Sequence, residues 1–118
     1  MTISTDLAII RHARVLLAKG WTQHAMRRDA QGAIAVGGHA AVAWCLVGAI
    51  DQAVYDSPDD AEQVGDTPTE ILADMVAITL WRWANRIDLI GWQDEPGSTQ
   101  AELLELMDLT IRDMEATE

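Results

Sequence analysis

The chain has 118 residues, 49% of them hydrophobic and 23% charged, a composition that suits one compact domain over residues 1–118 and excludes a disordered tail. Nineteen Asp and Glu face eight Lys and Arg for a formal net charge of −11, which counts against broad non-specific binding to nucleic acid or an anionic membrane. The single cysteine, Cys45, excludes an internal disulfide, and the apolar runs fall short of the ~20 residues that a bilayer span requires.

The first predicted helix follows Ser4-Thr5-Asp6, carries Leu7, Ile10, Ala13 and Leu17 at helical spacing, and ends with Lys19 before Gly20. Arg11, His12 and Arg14 lie off that stripe and read as a solvated basic face. From Trp21 to Gly38 the helical period is lost. A turn at Gln31-Gly32 and the run Ala33-Ile34-Ala35-Val36 before Gly37-Gly38 point to a small β-hairpin at about 22–36, with a short helix across Gln23–Arg28 as the competing reading. Such a ribbon has to lean on the helices, because two strands alone are marginal in water.

The second helix, about His39–Tyr55, is apolar on nearly every side and is expected to be the central element. Gly48 in its interior costs about 1 kcal/mol against Ala, which close approach of a neighbouring helix would explain. The acidic stretch Asp56–Asp66 reads as a connection. Thr67-Pro68-Thr69-Glu70 then has the form of a capping box and opens a third helix that runs to Trp81-Arg82-Trp83 before Asn85. Ile87–Pro96 reads as a second connection, pinned by Ile90 and Trp92. The last helix starts at Ser98 or Thr99, where Thr99 and Glu102 again match a capping box, and shows the stripe Leu103, Leu106, Met107, Thr110, Ile111 and Met114. Asp108 and Arg112 form a favourable i,i+4 pair. The expected fold is therefore mainly α: a compact four-helix domain around a central apolar helix.

The charge is segregated. Residues 1–50 carry five bases against two acids, a balance of +3, whereas residues 51–118 carry seventeen acids against three bases, a balance of −14. No Lys or Arg lies between Arg28 and Arg82, the interval that holds Asp56, Asp59, Asp60, Glu62, Asp66, Glu70 and Asp74. These seven acids are the expected partner-binding face. The aromatic set is one Tyr and five Trp with no Phe, and Trp, with its large apolar body and an N–H, suits edges and interfaces. Trp81 and Trp83, two apart on a helix, point about 200° apart, so at least one is peripheral. With Arg82 they are candidate interface anchors.

Gly20-Trp21-Thr22-Gln23, Arg28-Asp29-Ala30-Gln31-Gly32, Ala43-Trp44-Cys45-Leu46-Val47-Gly48-Ala49 and the run Trp92-Gln93-Asp94 through Pro96-Gly97-Ser98-Thr99-Gln100-Ala101-Glu102 come in this order. In this the chain resembles a family of small bacterial and phage proteins catalogued only as a domain of unknown function. The likeness spans about Leu7–Ile111, and departs from that family's common Trp-Asn-Asp at Trp92-Gln93-Asp94. It implies a shared fold and a bacterial or mobile-element origin, and no activity.

No catalytic or cofactor motif is found: no His-Glu-x-x-His, Cys-x-x-Cys, phosphate-cradling Gly loop or Gly-x-Ser-x-Gly. The acidic stretch fails the EF-hand pattern, since Gly65 at position 6 puts Val64 at position 5 and Ile71 at position 12. Weak divalent binding by Asp56, Asp59 and Asp60 competes poorly with a solvated loop. Cys45 with His24 or His39 lacks the electropositive setting of a nucleophile, and His12, His24 and His39 match no zinc spacing. Asp94 and Glu95 either pair as acid and base or complement the dipole of the last helix.

Neither an enzyme nor a cofactor is therefore expected. The leading expectation is a small acidic protein-protein interaction module of phage or mobile-element origin. Its partner is another protein with a basic surface; direct nucleic-acid or membrane binding is disfavoured and a homo-oligomer is open. The concrete form is an inhibitor of a host defence or nucleic-acid-binding complex, anti-CRISPR-like, whose acidic surface mimics DNA. The alternative is a small enzyme or ligand-binding domain with a pocket near Trp21, Trp44, Trp92 and Asp94. The expected setting is cytoplasmic, the host cytoplasm for a phage protein.

Overall fold

The computed structural model describes residues 5–35 and 40–117. Among them the order is α1 (Thr5–Lys19), β1 (Arg27–Arg28), β2 (Ala43–Trp44), α2 (Leu46–Asp56), α3 (Pro58–Val64), α4 (Pro68–Ala84), α5 (Leu89–Gln93) and α6 (Gln100–Ala116). The four long helices are those the periodicity predicts, and the protein is mainly helical with one small antiparallel ribbon.

α1 buries Leu7, Ile9, Ile10, Ala13, Leu16 and Leu17, and packs on α2, α3 and α6. It therefore shares the centre with α2, whose Leu46, Ala49, Ile50 and Ala53 are inside while Tyr55 is 80% exposed. α4 closes the core against α2 and α6 with Leu72, Val76 and Leu80.

The second helix starts later than expected. Ala43–Trp44 is a strand and Cys45 has extended backbone (φ −77°, ψ 173°), so α2 begins at Leu46. Apolarity alone cannot separate a short buried strand from a buried helix turn. Here backbone pairing decides: β2 lies between β1 and the Gly20–Thr22 segment. Arg27 stands opposite Trp44 and Arg28 opposite Ala43, while Trp44 N–H donates to Gly20 O (3.0 Å) and Thr22 N–H to Trp44 O (3.0 Å).

The expected ribbon at 22–36 is thus present with a different principal partner. The tight turn does form, since Asp29 Oδ1 accepts from the N–H groups of Gln31 and Ala33, and Arg28 makes a single antiparallel bridge with Ile34. Its predicted far end, Val36 with Gly37-Gly38, lies outside the described residues, as does His39. No helix forms across Gln23–Arg28.

Both expected connections contain a short helix, α3 and α5. α5 is anchored by Leu89 and Trp92, both 7% exposed, whereas Ile90, expected as a pin, is 59% exposed. Of the two capping boxes only that at Thr99–Glu102 is made. Thr67 sits at φ −126°, ψ 66° without a side-chain cap bond, and Thr69 Oγ1 donates instead to Asp51 Oδ1 on α2 (3.0 Å).

Candidate functional site

The basic face of α1 remains partly solvated and also meets the acids of the second half of the chain. Arg14 holds Asp108 on α6 in a two-pronged contact (2.9 and 3.3 Å), Arg11 reaches Glu115 (2.6 Å), and His12 lies 2.9 Å from Asp56. Asp108 is thereby directed to Arg14 and not to Arg112 on its own helix. Arg27 binds Asp51 (2.9 Å), Arg82 faces Asp113 (3.8 Å), and Arg86 bridges Asp88 and Glu95 (3.0 and 2.6 Å). The hydrogen bonds that Arg86 donates to Asp88 and then to Glu95 push its guanidinium further above its ordinary range, and Arg86 in turn holds the Asp88 carboxyl below the usual carboxylate range.

Of the predicted acidic face, Asp56 is engaged at the surface by His12 and Gln52. Asp59, Asp60 and Glu62 lie on α3, Asp66 precedes α4, and Glu70 and Asp74 stand one turn apart on the outside of α4. None of these six has an ion-pair partner among the described residues.

α4 is apolar on two faces. Leu72, Val76, Thr79 and Leu80 face the core, while Ile71, Ile78 and Trp81 face outward at 37%, 53% and 53% exposure. Across from them stand Ile87 and Ile90, at 64% and 59%. Asp74, Ala77, Ile78, Trp81 and Ile87 line an open cavity of 530 Å³. A second cavity of 300 Å³ shares Asp74, Ala77 and Ile87 and continues past Asp88 to Ile90 and Gly91, so the two form one groove between α4 and the segment leading through α5. Contiguous exposed apolar surface of this kind marks interaction sites. Trp81, an expected anchor, is in the groove. Trp83, 39% exposed, instead packs edge-on against Trp92 with ring centroids 6.0 Å apart. Arg82 is held at Asp113. Ile78 and Ile87 were not singled out as surface residues from sequence, and Ile90 was expected inside as a pin. The available signal was an apolar residue at 71, 78 and 81, offset by one position from the core stripe.

The residues expected around a pocket are placed differently from one another. Trp44 and Trp92 belong to the core. The indole N–H of Trp44 is buried without an acceptor among the described residues. Trp21 Nε1 donates to Gln93 Oε1 (2.9 Å), and Asp94 Oδ1 accepts from the His24 backbone N–H (3.0 Å). His24, Met26, Cys45, Gln93 and Asp94 border a cavity of 370 Å³. Cys45 caps α2, its Sγ accepting the Gly48 N–H at 3.1 Å. Burial pushes its thiol up, outweighing the Gly48 and Val47 N–H groups that pull it down, and nearby Asp94 adds to the rise. That direction opposes thiolate formation and nucleophilic use.

The shift has a testable sign. The folded thiol is raised above its unfolded value, so its stabilising contribution is complete below about pH 8.5 and is lost as pH climbs through the folded value. The fall in urea midpoint from about pH 8 to pH 10 should be smaller in Cys45→Ala than in the parent chain; equal falls would contradict a buried neutral thiol.

Among the described residues no group of three His, Cys, Asp or Glu could hold a metal, and no helix is long and apolar enough to cross a membrane. No curated protein matches the chain, and no solved structure does. Residues 1–113, which include α1–α5, the ribbon, the groove and most of α6, match the family of unknown function DUF6197, and the chain belongs to it.

Proposed function

We propose that this chain is a protein–protein interaction module that docks its partner in the groove on the outer face of α4. The observation that supports the reading best is the exposed apolar set around the groove, Ile78 and Trp81 on α4 with Ile87 before α5 and Ile90 on it, while the inner sides of α4 and α5 already complete the core. Folding does not need them outside, and leaving them in water forgoes roughly 25 cal/mol for each Å² that a partner would cover. The acids Asp66, Glu70 and Asp74 border the same helix and would steer a basic partner to it. The setting is cytoplasmic, where the lone Cys45 stays a thiol.

The test compares proteins captured by the parent chain with those captured by Trp81→Ala and Ile78→Asp. Both positions are exposed, so unchanged circular dichroism and thermal midpoints are expected. The specific partner should be lost at least tenfold from each variant, the effect of removing a buried aromatic anchor. Identical capture by all three chains would sink the reading.

A duplex-like acidic surface that inhibits a nucleic-acid-binding complex, the anti-CRISPR form of the idea, predicts the opposite pattern. Capture would then be indifferent to Trp81 and would fade as salt rises. A partner seated on the groove survives salt better than it survives loss of Trp81.

A further inference from the structure

We infer that the segment that occupies the α4 groove is a cationic amphipathic helix that sets a Lys or Arg against Asp74, a conclusion that rests on the interaction reading above. Asp74, an exposed residue of α4, lines both halves of the groove beside Ala77 and Ile87, with Ile78 and Trp81 next to it in the larger half. It has no ion-pair partner among the described residues. The nearest cations in sequence face other acids: Arg86 bonds Asp88 and Glu95, and Arg82, 69% exposed, lies 3.8 Å from Asp113.

An apolar segment laid over Ile78, Trp81 and Ile87 would take the Asp74 carboxylate out of water. A charge buried without a partner is strongly unfavourable, so an occupant that covers the isoleucines and the tryptophan has to carry its own cation at that point. A second copy of this chain does not meet the requirement. A two-fold contact through α4 would bring Asp74 and Glu70 against the same residues of the other copy, with Arg82 and Arg86 held elsewhere.

The walls also select the occupant's conformation. Both are built from helices and the Ile87–Gly91 segment, and neither β1 nor β2 contributes an edge for strand addition. The remaining way to fill such a groove is an amphipathic helix with apolar anchors at i, i+3 or i+4, and i+7. From Ile71 to Trp81 the α4 face is about 15 Å long, three turns of a partner helix. The cation falls within those turns, between the anchor that meets Ile78 and Trp81 and the one that meets Ile87 and Ile90.

The test uses the full chain and a dye-labelled helical peptide of about 18 residues built from Leu and Lys in that pattern, with a Leu and Glu peptide of the same pattern beside it. Fluorescence anisotropy at about 0.15 M NaCl should give binding of the Lys peptide and at least roughly 30-fold weaker binding of the Glu peptide. Asp74→Asn should weaken the Lys peptide about tenfold and Asp74→Glu should restore most of it. Asp59→Asn with Glu62→Gln, on α3 outside the groove, should change it less than about twofold.

Equal binding of the two peptides would overturn the inference. So would no binding of the Lys peptide, an equal loss on removing the α3 acids, or a Trp81-dependent dimer of the chain in sedimentation equilibrium. If Trp81-dependent capture of a partner persists while the Lys peptide fails, the interaction reading stands and the cationic helix falls. If capture ignores Trp81, the groove itself is abandoned.

Discussion

Gly48→Ala is expected to destabilise the protein by about 3 kcal/mol, although Ala is the better helix former by about 1 kcal/mol. A Cβ at position 48 would lie 1.9 Å from the carbonyl oxygen of Met26 and 2.8 Å from its carbonyl carbon. Both are backbone atoms and cannot rotate away. The same Met26 oxygen accepts the Cys45 N–H at 3.0 Å, so moving the loop to admit a methyl group would also break the bond that seats the start of α2. The helix therefore takes Gly for space and not for backbone freedom. Overpacking against backbone belongs at the upper end of its usual 1–3 kcal/mol range, which for a domain of this size is a fall of roughly 10 °C in thermal midpoint. Gly97→Ala is the control, since nothing lies within 4 Å of its added Cβ and the change should be neutral within about 0.5 kcal/mol. A Gly48→Ala chain as stable as the parent would mean that the 24–26 loop is not held against α2.

That tight approach shows where the sequence was legible and where it was not. α1 could be read from Thr5 onward because its stripe, Lys19 and Gly20 agree. α6 could be read for the same reason, with a capping box that forms. Gly48 signalled a close neighbour, but the neighbour is a loop carbonyl and not a helix. The start of α2 was hidden because residues 40–50 are apolar whether strand or helix, and only the pairing of Trp44 with Gly20 and Arg27 separates the two. Thr67 matches a capping box in residue type alone; Thr69 turns to Asp51, a residue 18 positions away that no local pattern contains.

The electrostatics follow the same division. Segregation into a basic first half and an acidic second half was plain, and it suggested two separate surfaces. The fold lays α1 against α6 and the end of α2, so Arg11, His12 and Arg14 meet Glu115, Asp56 and Asp108. Much of the segregation is thus internal complementarity between elements. What remains outward includes the acids on α3 and α4, and one of them, Asp74, lines an apolar groove that the overall hydrophobic content could not reveal. Four exposed large side chains, Ile78, Trp81, Ile87 and Ile90, are unremarkable one by one. They acquire meaning from lying on both sides of one groove.

Gln93→Leu should be the most damaging change among the buried polar residues, at about 3 kcal/mol. Gln93 is 1% exposed, and its Oε1 accepts both Trp21 Nε1–H (2.9 Å) and the backbone N–H of Leu46 (3.3 Å), the first residue of α2. Its Nε2 donates to Asp94 Oδ1, and its backbone oxygen accepts Gln23 Nε2–H at 2.8 Å. One side chain from α5 thereby caps α2 and fastens the Gly20–His24 loop. Leu matches the volume, so the loss is not a cavity effect. It leaves two donors without an acceptor, each worth about 1–3 kcal/mol when buried. The Trp21 share can be isolated, because Trp21→Phe removes that donor in advance. In the Trp21→Phe background the Gln93→Leu change should be smaller by about 1 kcal/mol, a coupling within reach of chemical denaturation. Strict additivity would mean that the indole does not depend on Gln93, and the stability of α2 would then have to be assigned to the Met26 carbonyl and the Cys45 cap alone.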